Sequence, residues 1–307
     1  MGSSALKPNA TWFNYGLLDT SAERNPHFSE ANFVRVAYCS GDLWLGSRQQ
    51  RTQDDLYFQG RFIVRAVFAT LVHEYGMGDA ELIVFGGSSA GGIGALALMD
   101  EMAQLAGEYT QGRARFVGSI QGGYYFLNDV TYQGKDPPGK PYIPWGSTAF
   151  PTYVDFWGAY LPHACVRHQM AEPWKCIVAD YSFQYVETPV FVAEALTDKT
   201  VMPLHCGLPG SPGTGGSDFT PDERDFVQIW SNIMSASLRK NVIPSSKDGL
   251  FAIACWTHTS FEEGRSIEGK THLQAIYEWL GGLSTKLLDP CGTVLCNPSC
   301  PIPSKHI

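Results

Sequence analysis

The sequence has no run of about 18 or more apolar residues, so hydropathy gives no membrane-spanning helix. It has no excess of positive charge either. Its 22 Lys and Arg stand against 30 Asp and Glu, a formal net charge of −8, and a nucleic-acid partner would need clustered basic side chains. No internal repeat is present, and GSSALKP after Met1 has no apolar stretch of the kind that marks a secretion signal. What is present is a globular composition, 44% hydrophobic and 17% charged over 307 residues. That length supports one large core, and a single α/β domain spanning 1–307, as a monomer, is expected.

The eight cysteines lack the paired C-x2-C knuckles of zinc sites, so no metal is expected and disulfides are the better reading. Cys165 and Cys176 are close in sequence and are expected to pair. Cys206, Cys255, Cys291, Cys296 and Cys300 are expected to supply two further bonds, with connectivity left open. Asn9-Ala10-Thr11 is a glycosylation sequon, usable in a secreted chain.

Residues 32–38 (NFVRVAY) alternate like a strand. Residues 61–75 carry one apolar stripe (Ile63, Val64, Val67, Phe68, Leu71, Val72) before Gly76, which predicts a helix. Residues 82–85 (LIVF) have the length and branching of a buried parallel strand, and a small-residue helix follows over about 93–106. Further strands are predicted at 115–119, 189–196 and 250–255. Thr220-Pro221-Asp222-Glu223 is a capping box opening a helix to about Arg239, and 271–280 is another helix. Strands alternating with helices predict a mainly parallel sheet covered on both faces. Residues of about 128–175, rich in Pro, Gly, Tyr and Trp, break that rhythm and read as an insertion over the active edge of the sheet.

Gly87-Ser88-Ser89-Ala90-Gly91 fits G-x-S-x-G between a short strand and a helix, the setting of a nucleophile elbow. Small flanking residues let the turn close, and the helix N-terminus offers backbone N–H groups, Ala90 N–H first, to a developing oxyanion. A bare G-x-S-x-G is also a common glycine-rich turn without chemistry, and Ser88 fits the pattern less well than Ser89. A serine hydroxyl needs a base, and the base needs a carboxylate to fix its tautomer. In an elbow fold of this kind the chain order is Ser, acid, His. Asp198, just after 189–196, is the candidate acid, with Asp180 and Asp218 as rivals. His258, three residues after 250–255, is the candidate base, ahead of His205 and His272.

With these residues in place, the chain resembles the pectin acetylesterase/Notum family of carboxylesterases. The likeness lies in NPHF…ANFVRVAYCSGDLWLGS (26–47), VFGGSSAGGIGAL (84–96), YYFLND (124–129), CVRHQ…EPWKC (165–176), PVFVAEALTD (189–198), FAIACWTH (251–258) and CNPSCP (296–301). The resemblance implies an α/β-hydrolase-like fold, cofactor-free ester cleavage, and Ser89, Asp198 and His258 as the triad. It implies an acylated polysaccharide or a lipidated protein as substrate, with Tyr125 and Phe126 as substrate-pocket residues and a secreted, extracellular location, although this chain shows no signal peptide. Family members carry a Gly-Gly-rich turn, upstream of where this chain begins, that completes the oxyanion hole, and nothing here resembles it. The expectation is therefore a sheet lacking an N-terminal strand, an unpaired Cys39 and a half-built oxyanion hole. The alternative expectation is an N-terminally truncated, catalytically impaired chain acting as a binding protein or a non-functional fragment.

Overall fold

The apolar stripe at 63–72 forms the predicted helix: α1 spans Gly60–Tyr75, and Gly76 closes it at φ 73°, donating its N–H to Leu71 O. The computed structural model describes residues 16–127, 129–134, 142–209, 218–261, 264–290 and 295–300. The Asn9 sequon and Cys291 lie outside them. Strand β1 (Leu82–Ser88) leads into helix α2 (Ala90–Thr110), and β2 (Arg115–Gln121) follows. The second half holds β3 (Val190–Asp198), α7 (Pro221–Asn241), β4 (Gly249–Thr257), α8 (His272–Leu280) and β7 (Lys286–Leu288). Between these lie short helices α3 (Phe150–Trp157), α4 (His163–His168), α5 (Ala179–Ser182) and α6 (Val201–Cys206). A two-residue hairpin, β5 (Ser266–Ile267) with β6 (Lys270–Thr271), precedes α8.

Five strands form one parallel sheet in the order β1-β2-β3-β4-β7. Strand side chains alternate between faces, and the two cores follow from that alternation. Phe191, Ala193 and Ala195 of β3, with Phe251, Ile253 and Cys255 of β4, pack with Ala275, Ile276 and Trp279 of α8. Val190, Val192 and Leu196, with Leu250, Ala252 and Ala254, join Ile93, Leu96 and Met99 of α2 and Phe226, Trp230 and Met234 of α7. Because both faces are covered, β3 reads as a nearly unbroken hydrophobic run. The predicted capping box is present: Thr220 Oγ1 accepts from Glu223 N, and Glu223 Oε2 accepts from Thr220 N at 2.8 Å. Among the described residues no helix is long and apolar enough to cross a membrane.

One expectation is corrected. Residues 32–38 form no strand. No neighbouring strand takes up their backbone groups among the described residues, and Val34 stays 52% exposed. Alternation alone makes a segment fit for a sheet; pairing needs a neighbour. The outermost strand on that end of the sheet is β1, with Leu82 42% and Val84 41% exposed. The cysteines agree with the expectation. Cys165 pairs with Cys176 as expected, Cys255 pairs with Cys300, and Cys296 is also disulfide-bonded. Cys206 is a free thiol, fully buried at the end of α6 beside Trp230, and burial pushes its pKa up to about 12. It serves as a small apolar filler. Cys39 is free.

Candidate active site

Ser89 joins β1 to α2 at φ 55° and ψ −125°, a backbone conformation that costs a non-glycine residue energy. The turn closes because its neighbours are small: a Cβ on Gly87 would meet Gly91 O at 2.2 Å. Ser89 N–H donates to Gln121 O at 2.8 Å, which fixes the elbow against the end of β2. The hydroxyl makes no capping bond to the helix.

Asp198 is the last residue of β3 and is fully buried. One of its oxygens accepts from Thr200 N at 2.7 Å and from Val201 N at 2.8 Å, the start of α6. The other lies 2.6 Å from His258 Nδ1. A carboxylate only accepts, so Nδ1 carries the proton and Nε2 presents its lone pair. The Ser89 hydroxyl, 2.7 Å from Nε2, donates to it. Asp198, His258 and Ser89 thus form one unbroken line of hydrogen bonds, drawn from the ends of β3, β4 and β1. The His258 side chain is 11% exposed, so the line is open to a reactant. Gly122, at φ 54°, seats the histidine loop: a Cβ there would meet His258 O at 2.5 Å.

The rival residues go elsewhere. Asp180 accepts from Ser237 Oγ at 2.5 Å and from Asn241 Nδ2 at 3.0 Å, both on α7. His205 Nδ1 donates to Ile143 O at 2.9 Å and its ring lies 4.5 Å from that of Trp145; burial holds its pKa below the usual histidine value. His272 is fully buried among Phe191, Phe251 and Phe261. Phe126 is buried against Trp230. Tyr125 is buried too, but its hydroxyl donates to Gly122 O at 2.8 Å and lies within hydrogen-bonding reach of the Ser89 side chain. Among the described residues no three His, Cys, Asp or Glu side chains are grouped to hold a metal ion.

Sequence reasoning passed over Glu194, also fully buried, whose oxygens accept from Tyr124 N and Ala195 N at 3.0 Å each. It takes the Ala195 amide where the β3–β4 register shifts between Ala195 and Thr197, a bulge that re-aims the end of β3 carrying Asp198. Burial, then the nearby Asp198 charge, raises its pKa well above the usual carboxylate range. The signal was a lone Glu in an apolar run. Because the folded pKa is raised, the stability Glu194 contributes is full below the unfolded value of about 4.3 and is lost as pH rises towards the folded value. Glu194→Gln removes the ionisation. The melting temperature of the variant relative to the unsubstituted chain is expected to climb between pH 4 and pH 8. A difference that stays flat across that range refutes the neutral Glu194.

Comparison with known proteins gives the same architecture. The Wnt deacylase Notum from Drosophila superposes with a TM-score of 0.80 at 24% identity, over 97% of this chain and 81% of that one. The palmitoleoyl-protein carboxylesterase notum1a of Danio rerio is 26% identical over 312 residues, covering 93% of this chain and 58% of its own length. The mouse palmitoleoyl-protein carboxylesterase NOTUM is 28% identical over 309 residues, with the same two coverages of 93% and 58%. The chain therefore spans rather more than half the length of these relatives. The pectinacetylesterase family model matches residues 1–301, and the chain belongs to that family.

Proposed function

We propose that the chain is a serine carboxylic-ester hydrolase, with Ser89 as nucleophile, His258 as general base and Asp198 as the acid that orients it. The observation that carries this reading is the pair of hydrogen bonds at 2.6 Å and 2.7 Å that joins the three side chains in the order such chemistry requires. Ser89 Oγ attacks the ester carbonyl while its proton passes to His258 Nε2. Asp198 stabilises the resulting imidazolium, and the Ala90 N–H, at the positive end of α2, stabilises the oxyanion. Collapse of the tetrahedral intermediate expels the alcohol, protonated by His258. A water then attacks the acyl-serine, with His258 as base again. No cofactor is required.

The family name and the relatives' names supply two acyl groups, acetyl on a pectin-like polysaccharide and palmitoleoyl on a protein. Tyr125 and Phe126, one strand over from the elbow, are proposed to wall the acyl side of the site. Treating the whole chain with a fluorophosphonate tests the assignment, together with p-nitrophenyl acetate and octanoate turnover. Stoichiometric adduct on Ser89 with ester turnover is expected. Acetyl preference supports the polysaccharide branch and octanoyl preference the lipid branch. A chain that neither forms the adduct nor cleaves either ester is no esterase, and the acyl-binding alternative then takes its place.

A further inference from the structure

Placing a carboxyl group inside a parallel sheet costs free energy that hydrogen bonds must offset. Glu194 stands in the middle of β3 with no exposed surface, and the nearby Asp198 charge adds to the cost of ionising it. The strand has no need of a polar side chain at that point, because every other position from Val190 to Leu196 is apolar. What a carboxyl group offers and an amide does not is two acceptor oxygens at one place. Both are used. Oε2 accepts from Tyr124 N and Oε1 from Ala195 N, each at 3.0 Å. The first amide belongs to the loop after β2, and the second lies in β3 where its register with β4 shifts. The Thr197 hydroxyl closes the same shift by donating to Cys255 O at 2.8 Å. Glu194 therefore ties loop 121–125 to the stretch of β3 that leads into Asp198.

That loop seats the other two members of the hydrogen-bonded line. Gln121 O accepts from Ser89 N at 2.8 Å. Gly122 N donates to Ala193 O at 2.8 Å, and the Gly122 backbone lies against His258 O. The next residue, Gly123, meets the first turn of α2, where a Cβ would come within 2.6 Å of Gly92 Cα. The Tyr125 hydroxyl donates back to Gly122 O at 2.8 Å, and Tyr125 O accepts from Asp180 N at 3.0 Å. Within this set of fixed points the Tyr124 amide is held by Glu194. A displacement of the loop moves the nucleophile and the base relative to the acid.

We propose that Glu194 is a positioning residue for ester hydrolysis, its two oxygens holding the loop that seats Ser89 and His258 against the strand that presents Asp198. It touches no reacting atom and acts through the backbone. The proposal rests on the esterase reading above. Glutamine cannot take over the role in full, because its one oxygen serves one amide and its NH2 faces the other donor to donor. Alignment is where such a loss is felt, since a shift of about 1 Å set far from the chemistry can cost on the order of 10²-fold in rate.

The test compares Glu194→Gln and Glu194→Asp with Asp248→Ala in the full chain, each assayed below its own unfolding transition. Asp248 is buried at the opposite end of β3, where it accepts from Val190 N at 2.8 Å, so its removal shows what loss of a purely structural carboxylate does. In Glu194→Gln, kcat for p-nitrophenyl acetate and the rate of fluorophosphonate labelling of Ser89 are expected to fall together by about 10–10²-fold, with KM little changed. Glu194→Asp keeps two acceptor oxygens, drawn back by one methylene, and is expected to recover part of that loss. Asp248→Ala is expected to lower the melting temperature and leave kcat and labelling as they are. If Glu194→Gln does not fold, Glu194→Asp is read in its place, with both rates lowered at unchanged KM. Unchanged rates in the Glu194 variant so read, or an equal loss of both rates in Asp248→Ala, overturn the proposal and leave the esterase reading intact. An unsubstituted chain that is neither labelled nor active overturns both.

Discussion

Ser89→Ala is expected to bring ester turnover down by roughly 10⁵–10⁶-fold, to the level of residual binding and oxyanion stabilisation. The side chain makes no cap and fills no core space; its contacts are the His258 ring and the neighbouring Tyr125 hydroxyl. Loss of activity should therefore come with an unchanged melting temperature. Removing the γ-oxygen also relieves nothing at the backbone, because alanine at φ 55° is strained as serine is. Steady-state turnover of p-nitrophenyl acetate, with thermal melts alongside, decides the matter. Turnover in Ser89→Ala above about one hundredth of the starting rate would place the nucleophile elsewhere.

Asp198→Asn is expected to cost about 10⁴-fold in kcat, the size found when the equivalent change is made in a serine protease triad. The amide oxygen can keep the hydrogen bonds from Thr200 N and Val201 N, so α6 stays in place. The amide NH2 then faces His258 Nδ1 and can only donate. The ring answers by moving its proton to Nε2, where it no longer accepts from Ser89. The loss should appear in kcat with KM little altered, since Asp198 is buried beyond reach of a substrate. Asp180→Asn is the matched control. Its carboxylate binds Ser237 and Asn241, so stability but not kcat should respond. A large kcat loss in Asp180→Asn with none in Asp198→Asn would reverse the assignment.

The hydrogen-bonded set of Ser89, His258 and Asp198 was legible in sequence because each member is announced locally. The elbow needs small residues around Ser89, and Asp198 and His258 each follow an apolar strand. The Thr220 capping box and the Gly76 stop were legible for the same reason, as four-residue or single-residue events. Residues 32–38 misled because alternation describes a side-chain pattern, whereas a strand also needs hydrogen-bond partners from elsewhere in the chain. Which of the five later cysteines stays unpaired was not legible, because disulfide pairing depends on how two distant Cβ atoms approach, which spacing does not carry. Glu194 was missed for a related reason. It is held by a contact between segments far apart in sequence, accepting from Tyr124 N.

The Cys255–Cys300 bond joins the strand that presents His258 to a cysteine 45 residues further on. On a ribosome those two sulfurs are not available together. The parallel sheet from β1 to β4 can be assembled while Cys300 is still inside the exit tunnel, leaving the Cys255 thiol, three residues before the histidine, waiting for its partner. Covalent closure is then a late event, made on a histidine strand already placed in the sheet. A loop of that length gives about 4 kcal/mol in the chain-entropy treatment, enough to separate a marginal product from a durable one.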